Sequence, residues 1–211
     1  MIRWFEAEHN VPHGDSYDER WKRMEESGEY IHGEADLIEW FRPESVLDAG
    51  CGTGRLAIEL GRRGVDVVGV DIDPRMLDVA RSKAPHLRWI LGDVVDVTVP
   101  VDHQKSSGLS TQGDNGPTVQ SFDVVVLAGN VMIFIAADTE SATIANMARH
   151  LAPGGRLIAG FQLGRTFLDL QMYDAAARAA GLRLEHRWST WELTPYEGGD
   201  YAVSVHRALE S

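Results

Sequence analysis

Three glycines and an aspartate stand close together in the segment VLDAGCGTG, residues 46–54. Asp48 closes an apolar run, and Gly50, Gly52 and Gly54 follow it at alternate positions. Glycine permits a left-handed backbone and close approach to another group, although it costs conformational entropy. A carboxylate beside such a loop can accept hydrogen bonds from an ammonium group but would repel a pyrophosphate. The segment therefore favours a cationic or zwitterionic ligand lying against bare backbone.

Two further acidic residues close the next apolar runs. Asp71 follows VVGV, 17 residues after Gly54, where an acidic side chain can accept hydrogen bonds from ribose hydroxyls. Asp93 follows WILG, where it could accept a hydrogen bond from an exocyclic amine, and Val94 could flank an adenine ring. Each aspartate alone could equally be a helix cap or a turn former. Three successive runs that all close on aspartate are a rarer coincidence, which favours a shared ligand site.

The spacing of the glycines separates two classes of nucleotide site. The dinucleotide fingerprint G-x-G-x-x-G needs glycine or alanine at position 55, where this chain has Arg55. The chain also lacks a convincing Tyr-x-x-x-Lys pair for hydride transfer. An NAD-dependent oxidoreductase is therefore the weaker alternative.

Strand and helix patterns alternate along most of the chain. Nearly continuous apolar runs predict strands over 45–49, 65–71, 87–93, 122–129 and 155–161. Apolar residues three and four apart predict helices over 54–64, 74–84 and 139–151. After a helix over 166–180, the runs 182–190 and 201–209 predict a hairpin whose last strand is antiparallel. This order predicts an α/β fold with a doubly wound, mostly parallel sheet and helices on both faces.

Ligands of open parallel sheets bind at the carboxyl ends of the strands, where the strand order reverses. The glycine loop follows the first predicted strand and precedes a helix, so it is expected at that crevice. Amides at the start of the helix would point into the same space.

Size and charge limit the partners. The chain has 211 residues, enough for one domain, with 20 Lys and Arg against 32 Asp and Glu. The net charge of −12 repels phosphate backbones and anionic membranes, so we expect no nucleic-acid and no membrane partner. The single cysteine excludes an internal disulfide, and the first ten residues show no signal-peptide pattern. We expect a cytoplasmic monomer or homodimer.

Segments outside the sheet could close over a ligand. Two helical patterns within 15–41 predict an N-terminal helical cap over residues 1–44, followed by the core at 45–211. The polar, glycine-containing segment 103–121 predicts a flexible surface loop.

In this order, the motifs resemble those of class I S-adenosylmethionine-dependent methyltransferases. VLDAGCGTG is similar to the first motif of that family, VVGVDIDPRML to its second-strand acidic motif, and LGDVVD to its adenine-contacting motif. FDVVVLAGNVMIF resembles the fourth-strand motif, and LAPGGRLI the turn into the fifth strand. The resemblance covers about residues 45–161. It implies a Rossmann-like seven-stranded sheet with one antiparallel strand and an S-adenosyl-L-methionine cofactor.

The resemblance also implies roles for individual residues. Asp48 would lie near the methionine part of the cofactor, Asp71 would hold the ribose, and Asp93 would contact the adenine amine. Gly129 and Asn130 would border the sulfonium. The other residues expected to line the cofactor are Ala49, Gly50, Gly52, Gly54, Ile72, Met76, Gly92, Val94 and Ala128.

Methyl transfer from a sulfonium expels a neutral leaving group, so positioning can supply much of the rate. A general base is needed only if the acceptor must lose a proton. The candidates lie in the predicted cap: His9, His13, Tyr17 and His32. Each of these residue types more often packs or lies exposed. The spacing of His9 and His13 does not predict a metal site, because a proline between them and a glycine after them disfavour a helix.

We therefore expect a methyltransferase acting on a small molecule, with an oxygen, nitrogen or carbon nucleophile left open. The non-enzymatic alternative is a protein that binds S-adenosylmethionine without transferring its methyl group, since the cofactor motifs would look the same.

Overall fold

The computed structural model describes residues 15–102, 119–164 and 168–210. In these ranges two helices precede a sheet of seven strands, and five further helices connect or flank the strands. The strands are β1 (Ser45–Ala49), β2 (Asp66–Asp71), β3 (Arg88–Leu91), β4 (Phe122–Leu127), β5 (Leu151–Gln162), β6 (Leu182–Trp188) and β7 (Tyr201–Ala208). The helices are α1 (Asp15–Glu26), α2 (Gly33–Trp40), α3 (Arg55–Arg62), α4 (Pro74–Lys83), α5 (Val131–Phe134), α6 (Glu140–Ala148) and α7 (Leu170–Ala179).

The strand order of the sheet is β3-β2-β1-β4-β5-β7-β6. The first five strands of this order pair in parallel, and β7 is antiparallel to both β5 and β6. The predicted doubly wound sheet with one antiparallel strand is confirmed. The order reverses between β1 and β4, and this reversal opens a crevice at their carboxyl ends.

Two hydrophobic clusters cover opposite faces of the sheet. Ile38 of α2 and Leu60 of α3 pack on one face, while Ile144 of α6 and Tyr173 of α7 pack on the other. Because successive strand residues point to opposite faces, parallel strands between two helical layers must be apolar on both. This double burial explains the nearly continuous apolar runs. Within the described ranges, no helix combines the length and apolar character needed to cross a membrane.

The observed elements differ from the predicted ones in three places. β5 begins at Leu151, and its register against β4 shifts around the LAPGG turn, so the strand extends beyond the predicted 155–161. The short helix α5 lies inside an apolar run without helical period and was not predicted. Most of the predicted loop 103–121 lies outside the described residues, and its described end pairs with Pro100 through Val119.

The loop after β3 is held in place by α6 and the residues that follow it. Asn146 donates from Nδ2 to the carbonyls of Val94 and Val97, at 3.1 and 2.9 Å. His150 is fully buried, with Nε2 accepting from the Val99 amide at 3.2 Å and Nδ1 lying 2.9 Å from the Asn146 carbonyl. These contacts require a neutral imidazole with its proton on Nδ1. One polar side chain of α6 and one just after that helix thus fix the segment that borders the crevice beside β2.

Candidate active site

The glycine loop bends tightly around the end of β1. The amides of Gly50 and Cys51 both donate to the carbonyl of Val70 on β2, at 2.8 and 2.9 Å. Gly52 has a φ of 54°, in the left-handed region, and a Cβ built on it would lie 3.9 Å from the methyl carbon of Met76. As far as the described residues show, the space above Gly52 holds nothing closer. The loop therefore presents bare backbone at Gly52, with open space beside it.

The flanking glycines are needed because neighbouring side chains occupy the space of a Cβ. A Cβ on Gly50 would come within 2.4 Å of Val131 in α5, and one on Gly54 within 2.5 Å of Trp89 on β3. Trp89 is itself anchored, because its Nε1 donates to the carbonyl of Ala84 at 2.9 Å. The loop thus lies between Val131, which follows β4, and Trp89 of β3, and these two side chains position its backbone.

Asp71, at the carboxyl end of β2, helps to shape this loop. Its Oδ2 accepts from the Gly52 amide at 2.7 Å, and its Oδ1 accepts from the Asp73 amide at 2.8 Å. Burial raises the pKa of Asp71 above its ordinary value. Each carboxylate oxygen keeps a second lone pair, so the group can still accept hydrogen bonds from two ribose hydroxyls. The ribose contact stays a prediction, and the link to Gly52 is a structural role that the sequence did not indicate.

Asp48 is a buried carboxylate with an unpartnered oxygen. It lies one residue before the end of β1, and 2% of its surface is exposed. The Ala57 amide in the first turn of α3 favours the charged form of this side chain and lowers its pKa, while its Oδ2 has no hydrogen-bond partner among the described residues. Burial raises the pKa of Asp48 to about 7, against the lowering effect of nearby Arg55. A buried charge without a partner is costly, so a cation bound here would be stabilising.

The loop after β3 uses its aspartate to form a turn. Oδ1 of Asp93 accepts from the Val95 amide at 3.0 Å, and the Gly92 amide donates to the carbonyl of Asp71, also at 3.0 Å. Val94 is buried. Asp93 is therefore a turn former, one of the two roles that its position allowed. Its contact with an adenine amine stays a prediction.

The turn that follows β4 contains two residues with left-handed backbone. Gly129 has a φ of 64° and Asn130 a φ of 68°. Oδ1 of Asn130 accepts from the Gln162 amide at the end of β5, at 2.8 Å. This bond ties the ends of two neighbouring strands together at the crevice. Whether Gly129 and Asn130 border a sulfonium stays a prediction.

Arg55 connects the glycine loop to the N-terminal helices. Its guanidinium is paired with the carboxylate of Glu34 on α2 and donates to the carbonyl of Ile31 at 2.6 Å. It also lies over the ring of Trp21 on α1, 3.9 Å from the ring centroid. The sequence pattern marked Arg55 only as a departure from the dinucleotide fingerprint. Its pairing with Glu34 was missed because the two residues are 21 apart in the chain.

The remaining residues of the predicted cofactor site lie at the same edge of the sheet. They occupy the carboxyl ends of β1 to β4, or the loop or helix that follows one of these strands: Ala49, Ile72, Met76, Gly92, Val94 and Ala128. The topology thus brings the predicted positions together around one crevice, and their contacts with a cofactor stay a prediction.

Of the four candidate bases, His32 is the one whose side chain lies within the described residues. Nδ1 of His32 lies 4.0 Å from Oε2 of Glu59 on α3, and its ring stands edge-on to Tyr30. The imidazole therefore lies beside α3, one turn beyond Arg55 and away from the glycine loop. Tyr17 belongs to α1, but its side chain lies outside the described set. His9 and His13 precede the described residues.

A model of the methyltransferase domain family matches residues 47–157, more than half of the chain. The chain belongs to this family. A magnesium-protoporphyrin O-methyltransferase of Rhodobacter capsulatus is 34% identical over 98 residues, which are 44% of this chain and 35% of the relative. An uncharacterized methyltransferase of Mycobacterium tuberculosis is 38% identical over 125 residues, 58% of this chain and 42% of the relative. The chain thus spans less than half the length of these curated relatives.

Solved structures match over nearly the whole chain. A TehB-like SAM-dependent methyltransferase from Corynebacterium glutamicum is 34% identical, with a TM-score of 0.77, and the match covers 93% of this chain and 97% of that one. The CcbJ methyltransferase from Streptomyces caelestis shares the fold, at 21% identity and a TM-score of 0.68, over 84% of this chain and 94% of that one. The resemblance to class I S-adenosylmethionine-dependent methyltransferases is confirmed.

Replacement of Asp48 by asparagine is expected to stabilise the protein at pH 8. The raised pKa means that the folded protein retains a proton on Asp48 between about pH 4 and pH 7 that the unfolded chain has lost. The carboxylate therefore costs stability that grows as the pH rises through this window and is fully present above it. Asp48→Asn removes the cost, so the difference in Tm from the wild type should grow from pH 5 to pH 8, to at least about 3 °C.

Thermal unfolding followed by circular dichroism at both pH values measures this difference. Asp66→Asn, at the other end of the sheet on β2, serves as the matched control and should show no such growth. A loss of Tm in Asp48→Asn at pH 8 would contradict the assignment of a strained buried charge.

Proposed function

We propose that this chain is an S-adenosylmethionine-dependent methyltransferase that acts on a small molecule. The observation that carries the proposal is the buried, unpartnered carboxylate oxygen of Asp48 beside the glycine loop, in the fold of this family. A small acceptor is supported by the acidic net charge of −12 and by the relative named for magnesium protoporphyrin.

The residues of the crevice fit this cofactor. Asp48 would hold its ammonium group, Asp71 its ribose hydroxyls, and the backbone at Gly52 would lie against it. The match rests on the unpartnered oxygen of Asp48 and on the open space above Gly52. When bound, the cofactor would supply a methyl group on a sulfonium that becomes neutral as the methyl leaves.

The contribution of the chain is then orientation and exclusion of water. The interlocked glycine loop and the bond between Asn130 and the end of β5 would hold the reacting groups in line. Good orientation can be worth roughly 7–11 kcal/mol of the barrier. No anion has to be stabilised on the leaving group, so the reaction does not require a catalytic triad.

Residues 1–44 would form a cap on the core at 45–211. Asp18 of α1 accepts a hydrogen bond from the hydroxyl of Thr53 in the glycine loop, and its carboxylate pairs with Lys83 of α4 at 2.7 Å. Thr53 is fully buried under this contact. We propose that α1 covers the cofactor and leaves as a unit when the cofactor exchanges.

A cofactor under such a cap should leave more quickly when the cap is loosened. Asp18→Asn removes the ion pair with Lys83 and is expected to speed the dissociation of S-adenosylhomocysteine about three- to tenfold, measured by stopped-flow displacement. Glu26→Gln, which loses an exposed pair with Lys22 at the far end of α1, is the control and should leave the rate unchanged. Equal rates in wild type and Asp18→Asn would argue against a cap.

The cofactor class is tested by calorimetry on the wild-type protein. S-adenosylmethionine and S-adenosylhomocysteine should bind, whereas NAD should not, because position 55 carries arginine and Asp48 would repel a pyrophosphate. Asp71→Ala should lower the affinity for S-adenosylhomocysteine at least about tenfold, because the ribose contacts are lost and the Gly52 amide is no longer held.

Asp66→Ala on the same strand is the matched control and should bind like the wild type. Binding of NAD without either sulfur compound would overturn the proposed function. Binding of both compounds with no methyl transfer to any metabolite pool would support the non-catalytic alternative.

A further inference from the structure

The hairpin of β6 and β7 carries an aromatic pair to the crevice end of the sheet. Nε1 of Trp191, in the hairpin loop, donates to the hydroxyl of Tyr201, the first residue of β7, at 3.0 Å. Both side chains lie over Gly160 of β5. A Cβ on Gly160 would come within 2.4 Å of the Trp191 ring and 2.6 Å of the Tyr201 hydroxyl. Glycine at this position leaves the room that the pair fills, so the phenol is held at a defined point above β5.

This point lies next to the end of β4. Gly160 lies beside Ala128 across the two strands, because the preceding residues, Ala159 and Leu127, are paired. Neighbouring strands are about 4.8 Å apart. The Tyr201 hydroxyl is therefore about one strand away from residues 129–130, which are proposed to border the sulfonium. Alternation along the strands places Asp48, Ala128, Gly160 and Tyr201 on one face, the face covered by α2 and α3.

Two carboxylates, those of Glu34 and Glu192, lie near enough to the phenol to affect its pKa. A Cβ on Gly33, at the start of α2, would lie 2.6 Å from Oε1 of Glu192, so this carboxylate sits between the hairpin and α2. Burial, together with the nearby charges of Glu34 and Glu192, raises the pKa of Tyr201 to about 12. The phenol stays protonated at neutral pH, so it can donate a hydrogen bond but cannot act as a base.

The carboxylate proposed to hold the cofactor lies on the same side of the sheet as the aromatic pair. The unpartnered Oδ2 of Asp48 lies on the same face, and Glu34 is near enough to raise the pKa of Asp48. Arg55 lies near enough to lower the pKa of Asp48, but it is already paired with Glu34. Because Asp48 is proposed to face the cofactor ammonium and Glu34 is paired with Arg55, a positive charge on a bound acceptor would be balanced mainly by Glu192.

We infer that the acceptor is a small molecule with an amine nucleophile, bound against Tyr201 and Trp191 beside the end of β4. The inference rests on the proposed methyl transfer. In that step the lone pair of the amine attacks the methyl carbon, the carbon–sulfur bond breaks, and its electron pair remains on sulfur. The positive charge passes from sulfur to nitrogen, and the ammonium product then loses a proton to water.

The aromatic pair and the nearby carboxylates favour this movement of charge. Aromatic faces and carboxylates stabilise a cation that forms on nitrogen. A phenol or carboxylic acid would instead have to react as an anion beside Glu34 and Glu192, and the protonated Tyr201 could not remove its proton. An amine in its free-base form needs no base before the attack.

A panel of matched compounds tests the acceptor class. Release of S-adenosylhomocysteine by the wild-type protein is measured with phenethylamine, cyclohexylamine and histamine, and with 4-ethylphenol, 3-phenylpropionate and cyclohexanecarboxylate. Release above the rate without acceptor is expected with amines alone. Release with the phenol or the acids, and none with the amines, would overturn the inference. Calorimetry with S-adenosylhomocysteine comes first, because a wild-type protein that fails to bind it overturns the proposed function itself.

The role of Tyr201 is tested with the best amine of the panel. Tyr201→Phe keeps the ring and removes the hydroxyl, so KM for the amine should rise at least tenfold while the affinity for S-adenosylhomocysteine stays within twofold. Tyr196→Phe is the control, since this hairpin hydroxyl is exposed and lies 3.5 Å from the Gly199 carbonyl. An unchanged KM in Tyr201→Phe, or an equal loss of cofactor affinity, would contradict a role of Tyr201 in binding the acceptor.

Discussion

The rest of the site depends on one buried carboxylate, that of Asp48. Its strand, β1, lies between β2 and β4 near the middle of the sheet, so water cannot reach the side chain from either edge. The start of α3 gives it one amide donor, and the partial positive charge of a helix N-terminus favours an anion there. Arg55 is close but is paired with Glu34. The protein therefore keeps a charge only partly balanced, at the point where a cationic ligand would complete it.

The backbone around this carboxylate is positioned by contacts between segments far apart in the chain. Val131 and Trp89 occupy the space of side chains that Gly50 and Gly54 lack, so the glycine loop fits between its two neighbours. Asp71 at the end of β2 accepts a hydrogen bond from the Gly52 amide and so also holds the loop. These three contacts couple the ends of β1, β2 and β4, which means that the loop can move only if its neighbours also move. Such a site is formed before a ligand arrives, which lowers the entropy lost on binding.

Sequence patterns predicted the elements of the sheet because each strand, being covered on both faces, is apolar almost throughout. They also predicted the glycine loop and the aspartates, since residue type and local spacing carry that signal. They did not predict that Asp71 bonds to Gly52, that Arg55 pairs with Glu34, or that Tyr201 lies over Gly160. Such contacts depend on the order of strands in the sheet and on helix packing, and neither of these produces a periodic pattern in the sequence. The start of β5 was missed for a similar reason, because the LAPGG turn interrupts its pattern but not its pairing with β4.

Asp48 is partly protonated in the free protein, and this proton passes to the solvent when a ligand ammonium binds beside the carboxylate. Calorimetric titration with S-adenosylhomocysteine at pH 7, in buffers of different ionisation enthalpy, measures this proton directly. With a pKa of about 7, Asp48 is half protonated at that pH, so binding should release about half a proton per molecule bound. Asp48→Asn should release none. Proton uptake on binding, or equal release by the wild type and Asp48→Asn, would contradict the claim.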